Sequence, residues 1–131
     1  MKHNKSNKSG KKLENDCENL LIRYNIPYIK AKQSGIDFII YPNNLDKIMY
    51  LDCKSINGQG TAIERTPHTV FKYKKKYNAN LIHILEGKVN TPEIIREHCN
   101  HLCETKFLKL KELEQIVSNQ KVEHLSNKFF N

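Results

Sequence analysis

Apolar residues recur at helical spacing at Leu13, Cys17, Leu20, Leu21 and Tyr24, which predicts a first helix over 13–24. Asn25, Ile26 and Pro27 should end it, because proline disfavours the α conformation in the residue before it. A short edge strand is expected within Ile26 to Ala31, followed by a polar turn from Lys32 to Gly35. Ile36 to Tyr41 is a nearly continuous apolar run, rich in β-branched and aromatic residues and broken only by Asp37. Ile48 to Lys54 has the same character, and the turn formers from Pro42 to Lys47 between the two runs predict a hairpin. A polar loop with Gly58 and Gly60 covers Ser55 to Thr66. Beyond it the pattern predicts a helix from Pro67 to Tyr77 and a strand from Leu81 to Leu85. Thr91 should open a further helix with Pro92 in its first position, and Leu108 to Ser118 reads as the last. The tail from Asn119 is polar apart from Phe129 and Phe130. Helices alternating with strands in this order predict an α/β fold, a mixed central sheet with helices on its faces.

The alternation of side chains along a strand turns this pattern into chemistry. In the second hairpin strand Ile48, Tyr50, Asp52 and Lys54 share one face, and Met49, Leu51 and Cys53 share the other. In the first strand Asp37, Ile39 and Tyr41 share a face, with Ile36, Phe38 and Ile40 opposite. A turn centred on Asn44 and Leu45 sets Tyr41 against Ile48, Ile39 against Tyr50 and Asp37 against Asp52. Two carboxylates that meet in this way repel, and a divalent cation relieves the repulsion. Magnesium suits the supply, since it prefers oxygen ligands and is commonly held by one or two carboxylates and waters, and manganese should substitute. Lys54, two residues beyond Asp52 on its face, is placed to orient a water or to stabilise charge developing on a phosphate. Asp37, Asp52, Lys54 and a metal ion make a set suited to phosphodiester hydrolysis.

Asp37, fourteen intervening residues and then Asp52-Cys53-Lys54 resemble the signature of the PD-(D/E)XK nuclease superfamily, which includes restriction endonucleases and Holliday junction resolvases. Ile36 stands where the superfamily usually has proline, and Asp52 where glutamate is more frequent; both are accepted variants. The resolvase branch places Gly-x-x-x-Glu on a helix before the first strand, and Gly10-Lys11-Lys12-Leu13-Glu14 matches it. The resemblance therefore implies Glu14 as a third acidic residue carrying the metal or its waters, with Glu18 one turn later as the alternative. It further implies a restriction endonuclease-like fold, DNA as substrate and a homodimer, since cutting both strands needs two sites. A looser likeness to restriction-type members concerns the segment Gly58-Gln59-Gly60-Thr61-Ala62-Ile63-Glu64-Arg65, whose Gln59, Thr61 and Arg65 would contact DNA. The resemblance runs from about Gly10 to Leu85, and the helices from about residue 91 onward match no family pattern.

Composition agrees with a polyanionic partner. The 131 residues fit one domain, here 13–131, preceded by a basic arm over 1–12 that is expected to be flexible. Lys and Arg outnumber Asp and Glu by 22 to 14, for a net charge of +8, so the surface field attracts nucleic acid. Lys72, Lys74, Lys75 and Lys76, interleaved with Phe71, Tyr73 and Tyr77, form a candidate phosphate-contacting face, although the same pattern describes a solvated helix. No apolar run approaches the roughly 20 residues of a membrane span, and Met1 to Lys12 lacks the apolar stretch of a secretory signal. Scattered Cys17, Cys53, Cys99 and Cys103 suit reduced thiols, so a cytoplasmic protein is expected. His98, Cys99, His101 and Cys103 crowd one helix and cannot easily close a tetrahedral zinc site, which favours buried cysteines and solvent-facing histidines. His68 is either a phosphate contact or an ordinary helix-start residue.

Overall fold

The computed structural model describes residues 4–31, 35–41, 48–54 and 64–118, with side chains from residue 11 onward. Helix α1 (Asn4–Arg23) leads into three strands, β1 (Tyr28–Ile29), β2 (Phe38–Ile40) and β3 (Met49–Lys54). Helix α2 (Thr66–Tyr77), strand β4 (Leu81–Glu86), helix α3 (Glu93–Leu102) and strand β5 (Glu104–Lys109) follow, and residues 110–118 form a last helix, α4. The strands lie in sequence order in one five-stranded sheet. β1, β2 and β3 pair antiparallel, whereas β4 and β5 join parallel to β3, each after a helical crossover, as parallel neighbours require.

The sheet separates two cores. Leu13, Cys17, Leu20 and Leu21 of α1 and Leu113 and Val117 of α4 pack on Phe38, Ile40, Met49, Leu51, Leu85 and Leu108. On the other face Val70 and Tyr73 of α2 and Cys99 of α3 pack on Ile82 and Ile84, with Tyr50 and Phe107 at the margin. The alternation expected in β3 is met, since Met49, Leu51 and Cys53 serve the first core and Tyr50 the second. Ile36 departs from expectation. It lies in the second core and not beside Phe38 and Ile40, because the chain bends at Gly35 and Asp37 before β2 begins at Phe38.

Several boundaries differ from the sequence pattern. α1 starts at Asn4, inside the stretch expected as a flexible arm, where an all-polar composition offers no apolar stripe to read. Its end is a left-handed turn at Asn25, φ 56°, with Asn25 N–H donating to the Ile22 carbonyl and Ile26 N–H to that of Leu21. That is a Schellman closure sealed by Ile26 on Leu21, so Asn25 stops the helix before Pro27 has to. α3 begins at Glu93, with Pro92 at its cap and no side-chain cap bond, so Thr91 does not cap it. Strand β5 was not expected at all, and it takes Leu108 and Lys109 out of the last helix. Its charged positions Glu104, Lys106 and Lys109 mimic a solvated helix face in sequence. The hairpin turn at 42–47 and the tail from Asn119 lie outside the described residues. Among the described residues no helix is long and apolar enough to cross a membrane.

Candidate active site

The antiparallel register of β2 on β3 pairs Phe38 with Leu51, Ile39 with Tyr50 and Ile40 with Met49. Continued by one residue, it sets Asp37 opposite Asp52, as the hairpin argument predicts. Asp37 lies just past the end of β2, and its place is fixed by side chain to backbone bonds. The Asp37 N–H donates to Asp52 Oδ1 at 3.3 Å, and the Cys53 N–H donates to Asp37 Oδ2 at 2.7 Å. Each carboxylate thus spends one oxygen on an amide of the other's strand. Lys54 Nζ stands 3.9 Å from Asp52 Oδ2.

The electrostatics of this corner are unfavourable to two charges. Asp52 is only 4% exposed. Burial holds its carboxyl well above the ordinary carboxylate range, the Asp37 charge pushes it the same way, and the Lys54 ammonium pulls against both. Glu14, half-buried on α1, is also raised, first by burial and then by the charge of Asp37. Asp37 is therefore felt both by Asp52 on β3 and by Glu14 on α1. Glu18 is engaged elsewhere: it accepts the Tyr28 hydroxyl at 2.6 Å and lies 3.5 Å from Lys30 Nζ. That bond lowers the Glu18 carboxyl and lifts the Tyr28 hydroxyl to about 12. Of the two helical acids, Glu14 is the one that feels the charge of Asp37.

Among the described residues no group of three or more His, Cys, Asp or Glu side chains is gathered closely enough to hold a metal ion. Glu14, Asp37 and Asp52 accordingly do not form a closed cage. Asp37 and Asp52 still supply hard oxygen donors, and among the described residues no backbone amide bonds to Asp37 Oδ1 or Asp52 Oδ2. Two carboxylates and retained waters suffice for magnesium, so the Asp37 and Asp52 donor set fits that ion.

The expected nucleic-acid contacts are placed unevenly. Gln59 and Thr61 lie outside the described residues. Arg65, Lys72, Lys75 and Lys76 are exposed at the start and along α2, and three of these lysines rest over rings of their own helix: Lys72 over Tyr73, Lys75 over Phe71 and Lys76 over Tyr77. Lys74 has a different partner, since its ammonium donates to the Leu102 carbonyl at 2.9 Å and so closes the end of α3. His68, His98 and His101 are exposed, whereas Cys99 and Cys103 are buried, and all four cysteines are free. Cys53 packs against the α1 core, away from Asp52.

Two groups of residues near the site escaped the sequence pattern. In sequence Tyr73 and Tyr77 are only aromatics interleaved with the lysines of 72–76, yet their hydroxyls reach the segment before Asp37. Their signal was a pair of tyrosines four apart on the helix after β3, since a buried tyrosine hydroxyl requires a partner. Glu86, beside Lys54 in the β3–β4 register, is 3% exposed and accepts Arg96 Nη2 at 2.9 and 3.1 Å and the Thr91 N–H at 2.6 Å. An acid ending an apolar strand is a weak signal for such a cluster. No protein-family model matches the chain, and no curated protein and no solved structure is significantly similar to it.

Proposed function

We propose that this protein is a magnesium-dependent endonuclease that hydrolyses phosphodiester bonds in DNA, with a restriction endonuclease-like site. The observation that carries the proposal is the meeting of Asp37 and Asp52 across the hairpin, with Lys54 3.9 Å from Asp52. A protein has little structural reason to bury one carboxylate against another, whereas a cation-binding site has a strong one.

Asp37 and Asp52 would hold the ion, which when bound acidifies a water and offsets charge on the phosphate. Lys54 presents an ammonium beside the same oxygen and stabilises charge that develops on the scissile group. Glu14, whose raised carboxyl holds a proton more readily than an ordinary glutamate, serves the water molecules around the site. Arg65, Lys72, Lys75 and Lys76 give α2 an exposed cationic edge for the DNA backbone, and the net charge of +8 adds non-specific attraction. A homodimer would bring the two sites that double-strand cleavage needs.

The test is incubation with supercoiled, linear and four-way-junction DNA, with and without magnesium, beside Asp52→Ala and Lys54→Ala. The wild-type protein should cut only with the ion, and both variants should fail to cut. Asp52→Ala should bind DNA at least as tightly, because a repelling charge is gone. A preference for the junction would make the enzyme structure-directed. Intact DNA under every ion would sink the proposal and leave a nucleic-acid-binding module.

A further inference from the structure

The β2–β3 ladder ends at the pairing of Phe38 with Leu51, one residue short of Asp37. What precedes Asp37 is held from α2. The Tyr73 hydroxyl donates to the Gly35 carbonyl at 3.0 Å, and the Ile36 N–H donates to Tyr77 Oη at 3.2 Å. These two backbone groups belong to a single peptide unit, the one joining Gly35 to Ile36. In a planar trans peptide the C=O and N–H point to opposite sides, so the two hydroxyls grip the unit from both sides and fix its plane. Tyr73 and Tyr77 are four residues apart and rise from one face of α2. Tyr77 is itself braced, with its ring stacked on Tyr50 at 5.3 Å between centroids and tilted against Tyr73 at 6.1 Å. Tyr50 in turn pairs with Ile39 of β2, which closes the brace onto the hairpin.

We infer that Tyr73 and Tyr77 are positioning residues, a two-hydroxyl clamp on the Gly35–Ile36 peptide that holds the Asp37 carboxylate against Asp52. The inference rests on the nuclease proposal only for its catalytic consequence. Only the two backbone dihedrals of Ile36, a fully buried residue, separate the clamped peptide from the Asp37 amide, so the clamp narrows the range open to both exchanged bonds of the carboxylate pair, Asp37 N–H to Asp52 and Cys53 N–H to Asp37. The Tyr73 hydroxyl also senses the pair, since burial and then the charges of Asp52 and Asp37 raise it above the ordinary tyrosine value. A purely structural role would predict that the hydroxyls merely satisfy themselves on the nearest backbone, with no effect beyond that peptide.

Backbone amide hydrogen exchange separates the two cases, using the full chain as wild type, Tyr73→Phe, Tyr77→Phe and the double variant. Each change removes one hydroxyl and leaves the packed ring, so the single variants should keep the fold, as circular dichroism will report. Tyr77→Phe must expose the Ile36 amide in either case. The clamp predicts that exchange also quickens at Asp37 and Cys53, by about tenfold in the double variant, the scale of one hydrogen bond. It further predicts that kcat for magnesium-dependent cleavage of duplex DNA falls by about tenfold with KM unchanged. Faster exchange confined to Ile36, with Asp37 and Cys53 as protected as in the wild type, would overturn the clamp. If the wild type cuts no DNA, the nuclease proposal falls by itself, and exchange at Asp37 and Cys53 still decides whether the tyrosines position the pair.

Discussion

Asp37 and Asp52 are locked together through each other's strands: Asp52 Oδ1 accepts the Asp37 amide at 3.3 Å while Asp37 Oδ2 accepts the amide of Cys53, the residue after Asp52, at 2.7 Å. The bonds fix the geometry without removing the repulsion, because amide donors offset only part of a carboxylate's charge. Asp52 meets the cost by holding its proton more tightly than an ordinary aspartate. A corner built in this way is less stable as a bare fold than it would be with one neutral partner, which is a common signature of a functional site.

Asp52→Asn should therefore stabilise the metal-free protein, by on the order of 1 kcal/mol at neutral pH and above. Because the folded carboxyl is raised above 3.8, the folded state keeps its proton where the unfolded chain has lost it, and wild-type stability falls as pH rises through that window. The advantage of the variant should grow over the same window and disappear below it. Manganese at about 100 times its Kd should stabilise the wild type by about 2.7 kcal/mol and the variant by far less. Urea unfolding with and without the ion checks both halves, and an equal response of the two proteins would remove Asp52 from the ion site.

Glu14 and Glu18 sit one turn apart and should behave oppositely. Glu14 answers to the charge of Asp37, whereas Glu18 holds the Tyr28 hydroxyl. Glu14→Gln is expected to lower kcat for DNA cleavage by roughly 10- to 100-fold with little effect on stability, the range seen when a residue supporting a metal site is lost. Glu18→Gln should leave kcat within about twofold and cost about 1 kcal/mol by weakening the bond that ties β1 to α1. Steady-state kinetics beside thermal melts separates them, and a larger kcat loss in Glu18→Gln would reverse the assignment.

What the amino-acid pattern revealed, and what it hid, follows from how far each interaction reaches. The hairpin register was legible because strand periodicity and a compact cluster of turn formers are local, and that register sets position 37 opposite position 52. The face of Ile36 was misjudged because the bend at Asp37 lies at the end of the strand, where periodicity stops being a guide. β5 was missed because it is an edge strand whose charged positions read as a polar helix face, and only pairing with β4 makes it extended. The tyrosine clamp and the Glu86 cluster were hidden for a stronger reason. Each joins residues from separate elements, Gly35 to Tyr73 or Glu86 to Arg96, and no local periodicity encodes such contacts.

Arg96→Ala should be among the most damaging single changes outside the core. Arg96 meets both oxygens of Glu86, adds an Nε bond to the Thr91 carbonyl at 2.9 Å and lies over the Phe107 ring at 4.8 Å. Lys109 Nζ, 3.9 Å from Glu86, is too distant to replace it without rearrangement. Removing the guanidinium leaves a buried carboxylate under-compensated, at a cost of about 3 kcal/mol. Pairing the change with Glu86→Gln should recover a large part of the loss, and a double-mutant cycle in urea measures it. Additive losses would show that the two residues act independently.

His83 should govern stability on the acid side. It lies between Leu51 of β3 and Lys106 of β5 in the sheet register, with Nδ1 buried and without a hydrogen-bond partner among the described residues. Burial, helped by the Lys106 charge, draws its imidazole from 6.5 down to about 4. Between these values the unfolded chain binds a proton that the folded state refuses, so stability is complete above 6.5 and is lost as pH falls toward 4. A gap of that width amounts to about 3 kcal/mol. The raised carboxyls of Asp52 and Glu14 act with the opposite sign, so the contribution of His83 is read as the difference between wild type and His83→Leu. That variant also removes an unpartnered polar nitrogen, and it should gain on the wild type steadily as the medium is acidified from pH 6.5 to 4. Urea midpoints collected across this range supply the comparison, and parallel curves for the two proteins would mean that His83 titrates freely and that the folded protein admits its charge.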